Sequence, residues 1–324
     1  MLNLLKRHTP WLALTGLLSL STLVDAAETA PDALRIGYQK GSVSMVLAKS
    51  HQLLEKRYPQ TKISWVEFPA GPQMLEALNI GSIDLGSTGD IPPIFAQAAG
   101  ADLVYVGVEP PKPHAEVILV PKDSSIHTVA ELKGHKVALQ KGSSAHNLLL
   151  RALQQAGLMF TDIQATWLTP ADARAAFQQG NVDAWAIWDP YYSAALLQGD
   201  VRVLKDGTDL KQTGSFYLAA RPYAEKNSAF VLGVLDTFSQ ADALTLSQRQ
   251  QSITLLAKTM GLPEPVIASY LDHRPPTTIT PVSASVAALQ QQTADLFYDN
   301  RLVPKKIDIR QRIWHPTQQA GTKL

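Results

Sequence analysis

Two short stretches carry residue types that could do chemistry: Gln39-Lys40-Gly41-Ser42, and the same four residues again at Gln140-Lys141-Gly142-Ser143, followed by Ser144. Each follows a short apolar run and precedes a long helical pattern, Val43 to Tyr58 in the first and Ala145 to Ala156 in the second. A glycine lets the backbone turn tightly, and a serine is a favoured residue at the start of a helix. The expected product is a helix N-terminus with free N–H groups, a hydroxyl beside them and a partial positive charge, which suits an oxyanion. Alone, either copy reads as an ordinary strand-to-helix turn; two copies at matched positions point to one anion held from both sides. N–H groups and hydroxyls suffice for such an anion, so Lys40 and Lys141 are expected to stay out of the contact.

The echo continues. Leu78-Asn79-Ile80-Gly81-Ser82-Ile83-Asp84 matches Phe177-Gln178-Gln179-Gly180-Asn181-Val182-Asp183, a helix closed by a glycine and followed by a strand. Those strands end at Thr88-Gly89-Asp90 and at Trp188-Asp189-Pro190, each with an aspartate close to a proline. An unpaired carboxylate facing an anion would repel it, so Asp90 reads first as the cap of the helix that follows. Asp189 is more open, because a ligand with an amine at its far end could use it. Trp185 and Trp188 lie three residues apart on one strand and must face opposite ways, which leaves Trp185 for the core and sends Trp188, at the strand end, to the cleft.

Signals for catalysis are thin. The eight histidines are dispersed, with no His-Glu-x-x-His and no close carboxylate pair. There is no Gly-x-Ser-x-Gly elbow, Walker-type phosphate loop or Gly-x-Gly-x-x-Gly. No catalytic residue, metal site or cofactor is expected, and the absence of cysteine removes disulfides, thiolate metal sites, cysteine nucleophiles and a lipid-modified N-terminal cysteine.

The elements that must position these loops read as α/β. Apolar runs at Leu34 to Tyr38, Lys62 to Phe68, Asp84 to Ser87 and Leu103 to Val108 alternate with helical patterns, which predicts a mostly parallel sheet flanked by helices. Glu109-Pro110-Pro111-Lys112-Pro113 cannot be a central strand and reads as a crossover into a second lobe. That lobe repeats the plan, with strands at Ala115 to Val120, Thr166 to Leu168 and Ala184 to Trp188. Phe216 to Ala220 is its last strand, and the return crossover is placed at Arg221-Pro222. The expected division is lobe I from 27–114 and 222–324, and lobe II from 115–221. Ligands of open α/β sheets sit at the carboxyl ends of strands, so the matched loops should meet in one cleft between the lobes.

With 324 residues, the chain can build two modest domains. Residues 1–26 resemble a secretory signal, with Lys6-Arg7-His8 before the apolar Trp11 to Leu20 and a cleavage site ahead of Ala27. That apolar core is too short to span a bilayer, so no membrane anchor is expected. The chain has 29 basic and 28 acidic residues; the leader carries Lys6 and Arg7 against Asp25, which leaves the remainder formally neutral. Neutrality argues against binding nucleic acid or a membrane surface.

With these residues in hand, the chain resembles the periplasmic aliphatic sulfonate-binding proteins of ABC importers, nearly from end to end. The resemblance is carried by Leu34 to Ser42, Ile63 to Leu78, Ser82 to Pro111, Gly142 to Leu153, Pro170 to Asp200 and Pro304 to Trp314. Departures concentrate in the leader, residues 121–131 and the last few residues. The resemblance implies a two-lobed type II binding-protein fold with a hinge, and a periplasmic monomer that delivers an aliphatic sulfonate to a permease with its ATPase. It also implies a ligand site at Gln39, Gly41, Ser42, Thr88, Gly89, Ser143, Ser144, Trp188 and Asp189, with Asp90 beside it and Glu116 on the hinge. The wider group includes taurine, nitrate and thiamine-precursor binders. Its pyrimidine-forming enzymes carry a cysteine-rich motif that this chain lacks. An anion sensor reporting to a receptor stays open at this level.

Overall fold

The structure, a computed structural model, describes residues 30–275 and 277–316; the expected leader lies outside them. The chain opens with β1 (Ala33–Tyr38), α1 (Val43–Ser50) and α2 (Leu53–Arg57). One continuous helix was the expectation here. It breaks at Gln52, whose φ of 52° is left-handed, and the break turns Leu54 fully into the core. Then follow β2 (Lys62–Glu67), α3 (Gly71–Asn79), β3 (Leu85–Thr88), α4 (Ile91–Ala98) and β4 (Leu103–Val108). The chain crosses over to form β5 (Glu116–Pro121), β6 (Lys136–Leu139), α5 (Ser144–Gln155), β7 (Gln164–Trp167), α6 (Pro170–Gln178), β8 (Ala184–Trp188), α7 (Tyr191–Gln198) and β9 (Val201–Asp206). After the return come β10 (Phe216–Ala220), α8 (Arg221–Lys226), α9 (Ser228–Ser247), α10 (Arg249–Met260), α11 (Glu264–Asp272) and α12 (Ala284–Asp299).

These elements form two lobes around two mixed five-stranded sheets, ordered β2-β1-β3-β10-β4 and β7-β6-β8-β5-β9. The two orders correspond strand for strand. In each sheet one strand runs against the others, β10 between β3 and β4, and β5 between β8 and β9. In both cases it is the first strand made after the chain crosses between lobes. The return crossover expected at Arg221-Pro222 is therefore corrected: β10 is hydrogen-bonded into the first sheet, so the chain has already crossed back between Asp206 and Phe216. An apolar run adjacent in sequence to the second lobe was read as part of it, and strand β9, half-buried with Arg202 and Lys205 among its valines, was missed.

The internal echo has a structural basis. Asp84 and Asp183 hold equivalent positions, and each carboxylate accepts a backbone N–H from the neighbouring first strand, Arg35 and Lys136 respectively, at 2.8 Å. Apolar side chains cover both faces of each sheet. In lobe I, Leu34, Ile36 and Phe238 pack on one face and Met74, Tyr105 and Phe297 on the other. In lobe II the faces are built around Ile118, Val137 and Leu149, and around Val117, Trp185 and Ile187. The lobes are not separate bodies joined only by strands, because Leu150 of α5 is fully buried in the lobe I cluster of Met74 and Phe297. Among the described residues no helix is long and apolar enough to cross a membrane.

Candidate functional site

Four strand-to-helix turns, β1–α1 and β3–α4 from lobe I and β6–α5 and β8–α7 from lobe II, project their residues into one cavity of about 90 Å3. Gln39, Gly41, Ser42, Thr88 and Gly89 line it from lobe I, and Glu116, Ser143, Ser144, Trp188 and Asp189 from lobe II. Asp90 lines a smaller adjoining cavity of about 30 Å3, which shares Gly89, Glu116 and Ser144 with the first. Two glycines set how closely the lobes approach. A Cβ on Gly89 would stand 2.7 Å from Cβ of Ser144, and one on Gly41 would stand 2.9 Å from the Asp189 carbonyl oxygen.

The donor set differs in detail from the expectation. Neither serine hydroxyl caps its helix. The N–H groups of Ser42 and Val43 are engaged by Gln39 O and Gly41 O, and Ser143 donates both its N–H and its hydroxyl to Gln140 O. The tight turns consume these amides, and Thr88 donates its hydroxyl to Gly89 O at 2.8 Å, so the hydroxyls of Ser42 and Ser144 become more important than free backbone. Gln39 Nε2 donates to Ser87 O at 3.1 Å and so braces the ends of β1 and β3 together. The lysines face away: Lys40 Nζ donates to Met260 O at 3.3 Å, and Lys141 Nζ sits 5.8 Å above the Trp167 ring.

Asp90 is not the cap it was expected to be. It occupies the cap position of α4, yet its carboxylate makes no capping bond. Instead Oδ2 accepts from Asn147 Nδ2 of lobe II at 2.6 Å, while Oδ1, buried, has no hydrogen-bond partner among the described residues. Burial, reinforced by the charge of Glu116, pushes its pKa up to about 8. Burial also raises Glu116, against the pull of the Ser144 hydroxyl and Lys112. Asp189 does brace a helix, since Oδ1 accepts from Ser193 N at 2.9 Å, and its Oδ2 accepts from His273 Nδ1 of lobe I at 2.8 Å. Trp185 is buried in the core, and Trp188 is half-buried at the cleft wall.

Several cleft residues were missed. Tyr270 donates its hydroxyl to Gly41 O, and Tyr192 stacks on His273 with ring centroids 4.7 Å apart. Both Tyr270 and His273 come from α11 and its end, a helix signalled by Pro263-Glu264-Pro265 and by Val266, Ile267, Tyr270 and Leu271. Glu109, buried, pairs with the half-buried Lys112 at the crossover, and both line the cavity. Burial works against the Glu109 charge, but Lys112, Arg274 and the Tyr217 hydroxyl together hold its pKa below the usual range. His146 is fully buried among Phe95, Phe160, Trp167 and Phe297; burial, then Lys141, depresses its pKa to about 3, so the ring is neutral. Among the described residues no group of three His, Asp or Glu is placed to hold a metal ion.

The site can therefore present hydroxyls from both lobes to a small anion, with an aromatic wall for a tail. A family model described as NMT1/THI5 like matches residues 65–231. A protein of Escherichia coli (strain K12), named for binding aliphatic sulfonates, is 85% identical over 313 residues, 97% of this chain and 98% of its own length. The crystal structure of the periplasmic aliphatic sulphonate binding protein SsuA from Escherichia coli superposes with a TM-score of 0.83 at 87% identity, covering 88% of this chain and 98% of that one. The alkanesulfonate-binding protein SsuA from Xanthomonas axonopodis pv. citri, solved bound to MOPS, is 58% identical with a TM-score of 0.87, covering 88% and 99%.

Proposed function

Because the chain belongs to the NMT1/THI5-like family and, within it, to the aliphatic sulfonate-binding proteins, we propose that its cleft captures aliphatic sulfonates in the periplasm. The loaded protein, a monomer, then delivers them to the permease and ATPase of an ABC importer. It is a carrier and not an enzyme. One observation carries this reading: two equivalent strand-to-helix turns from different lobes line the same cavity, with hydroxyls at the cavity wall, both lysines of those turns facing away and Lys112 at the wall paired with Glu109. A sulfonate is a monoanion whose oxygens are weak acceptors, so several modest donors suit it better than one buried cation. Hydrogen bonds to a charged group contribute roughly 1.5–3 kcal/mol each, and a micromolar affinity needs only about 8 kcal/mol net. An alkyl tail passing Trp188 would add about 0.8 kcal/mol per buried methylene.

Asp189 is not available to the ammonium of an aminosulfonate such as taurine, because it spends both oxygens on Ser193 and His273, and Glu109 is paired with Lys112. Calorimetry with ethane-, butane- and octanesulfonate, taurine, nitrate and sulfate tests the reading. Linear alkanesulfonates should bind most tightly and be recovered unchanged. Tighter binding of nitrate or sulfate than of every organosulfonate would overturn it.

A further inference from the structure

A cleft for an anion should not hold spare negative charge, yet two carboxyl groups meet at its inner end. Asp90 comes from lobe I, and the groups around its carboxyl come mainly from lobe II: Asn147 and Arg151 on α5, and Glu116 on β5. From lobe I, Tyr105 lies near it on β4, and Gln290 of α12 binds the Asp90 carbonyl. Among the described residues Arg151 is the one cation acting on Asp90, and its side chain is already engaged with Asn147 Oδ1 and Thr293 Oγ1. Lys112 faces Glu116 but is paired with Glu109. Asp90 and Glu116 thus line the small cavity together with Lys112, which is spent on Glu109, and Gln212, which donates to Glu116 Oε2 at 3.4 Å; among the described residues no other cation lines it, and Asp90 Oδ1 is buried without a partner. A ligand anion in the adjoining cavity would add a third negative charge.

We propose that capture of the anion takes up one proton from solvent, which is held on the Asp90–Glu116 pair where the two lobes meet. The proton gives the orphaned oxygen of Asp90 a neutral form. It also releases the Ser144 hydroxyl, now drawn to Glu116, so that it can turn its hydrogen to the anion. No covalent bond to the ligand forms or breaks; the balance is anion plus proton plus protein giving one complex. The upward displacement of both carboxyl pKa values by burial agrees with this. The sign is fixed by linkage: a carboxyl whose pKa rises on binding leaves affinity intact at low pH and removes it as pH rises through the bound-state value. The affinity falls by at most tenfold per pH unit for one proton.

This inference rests on the anion-binding reading, and the experiment separates the two. Ethanesulfonate is titrated calorimetrically at pH 8 in phosphate, imidazole and Tris, avoiding sulfonate buffers that would compete. Since a carboxyl with a pKa of about 8 is already half protonated at pH 8, the observed enthalpy should vary with buffer ionisation enthalpy with a slope of about 0.3 to 0.5 proton taken up, and affinity should fall several-fold from pH 7 to 9. Asp90→Asn, whatever its affinity, should lose most of that slope, and Glu116→Gln, by making Asp90 easier to ionise, should move the uptake to lower pH. A slope of zero with binding intact overturns the inference alone, as does full uptake in both variants. Absence of binding by any alkanesulfonate overturns the reading beneath it. If either variant fails to fold, the wild-type slope still decides.

Discussion

Residue types at the cleft separate donors from bystanders. Lys141 sits over Trp167 and lies outside the main cavity, whereas Ser143 and Ser144 line it. Lys141→Ala should cost less than ~0.5 kcal/mol of binding, as for an ordinary surface change. The double change Ser143→Ala and Ser144→Ala should cost roughly 2 kcal/mol or more, mainly through Ser144, because the Ser143 hydroxyl is donated to Gln140 O. Equal losses in a ligand titration would replace the hydroxyl mechanism with a point-charge site. The serines were legible in the sequence because their turn is local, strand, glycine, serine and helix in one short run. The partners of the aspartates were not. Asp90 finds Asn147, and Asp189 finds His273, each across the lobe boundary and far along the chain. A local rule that puts aspartate at a helix start cannot see a tertiary donor that competes for its carboxylate.

Among elements, the contact of α4 with α5 brings the two lobes together beside the ligand cavity. Gly89 closes that contact, since a Cβ there would stand 2.7 Å from Cβ of Ser144. Gly89→Ala should weaken ethanesulfonate binding more than about tenfold while lowering unliganded stability by under ~1 kcal/mol, because it wedges a junction and leaves each sheet intact. Unchanged affinity would mean that this close approach is not part of the binding-competent state. The strands leading into the loops were legible as apolar runs, and so were the helices between them. Two elements were not. Strand β10 has the composition of any buried strand, and only its pairing with β3 and β4 assigns it to lobe I. Helix α11 was not read from the sequence despite its prolines and apolar spacing, and nothing local told that its Tyr270 would reach Gly41.

For the molecule as a whole, the two lobes hold each other in three ways: two strand crossovers, Leu150 of lobe II buried in the lobe I core, and α11 laid against α7. The unliganded protein should therefore unfold in one transition, with calorimetric and van't Hoff enthalpies equal. Two resolved transitions would show that the lobes are independent and that the Leu150 contact contributes little. The exchange of strands also fixes an order of assembly. Residues 116–206 contain every strand of the second sheet, so that sheet can be finished as soon as its own stretch of chain has emerged. The first sheet cannot, because its member between β3 and β4 is not made until residues 216–220. The lobe that begins first along the polypeptide is the one that must wait, its strands β3 and β4 holding a gap open until more than a hundred later residues have passed through the other lobe and come back.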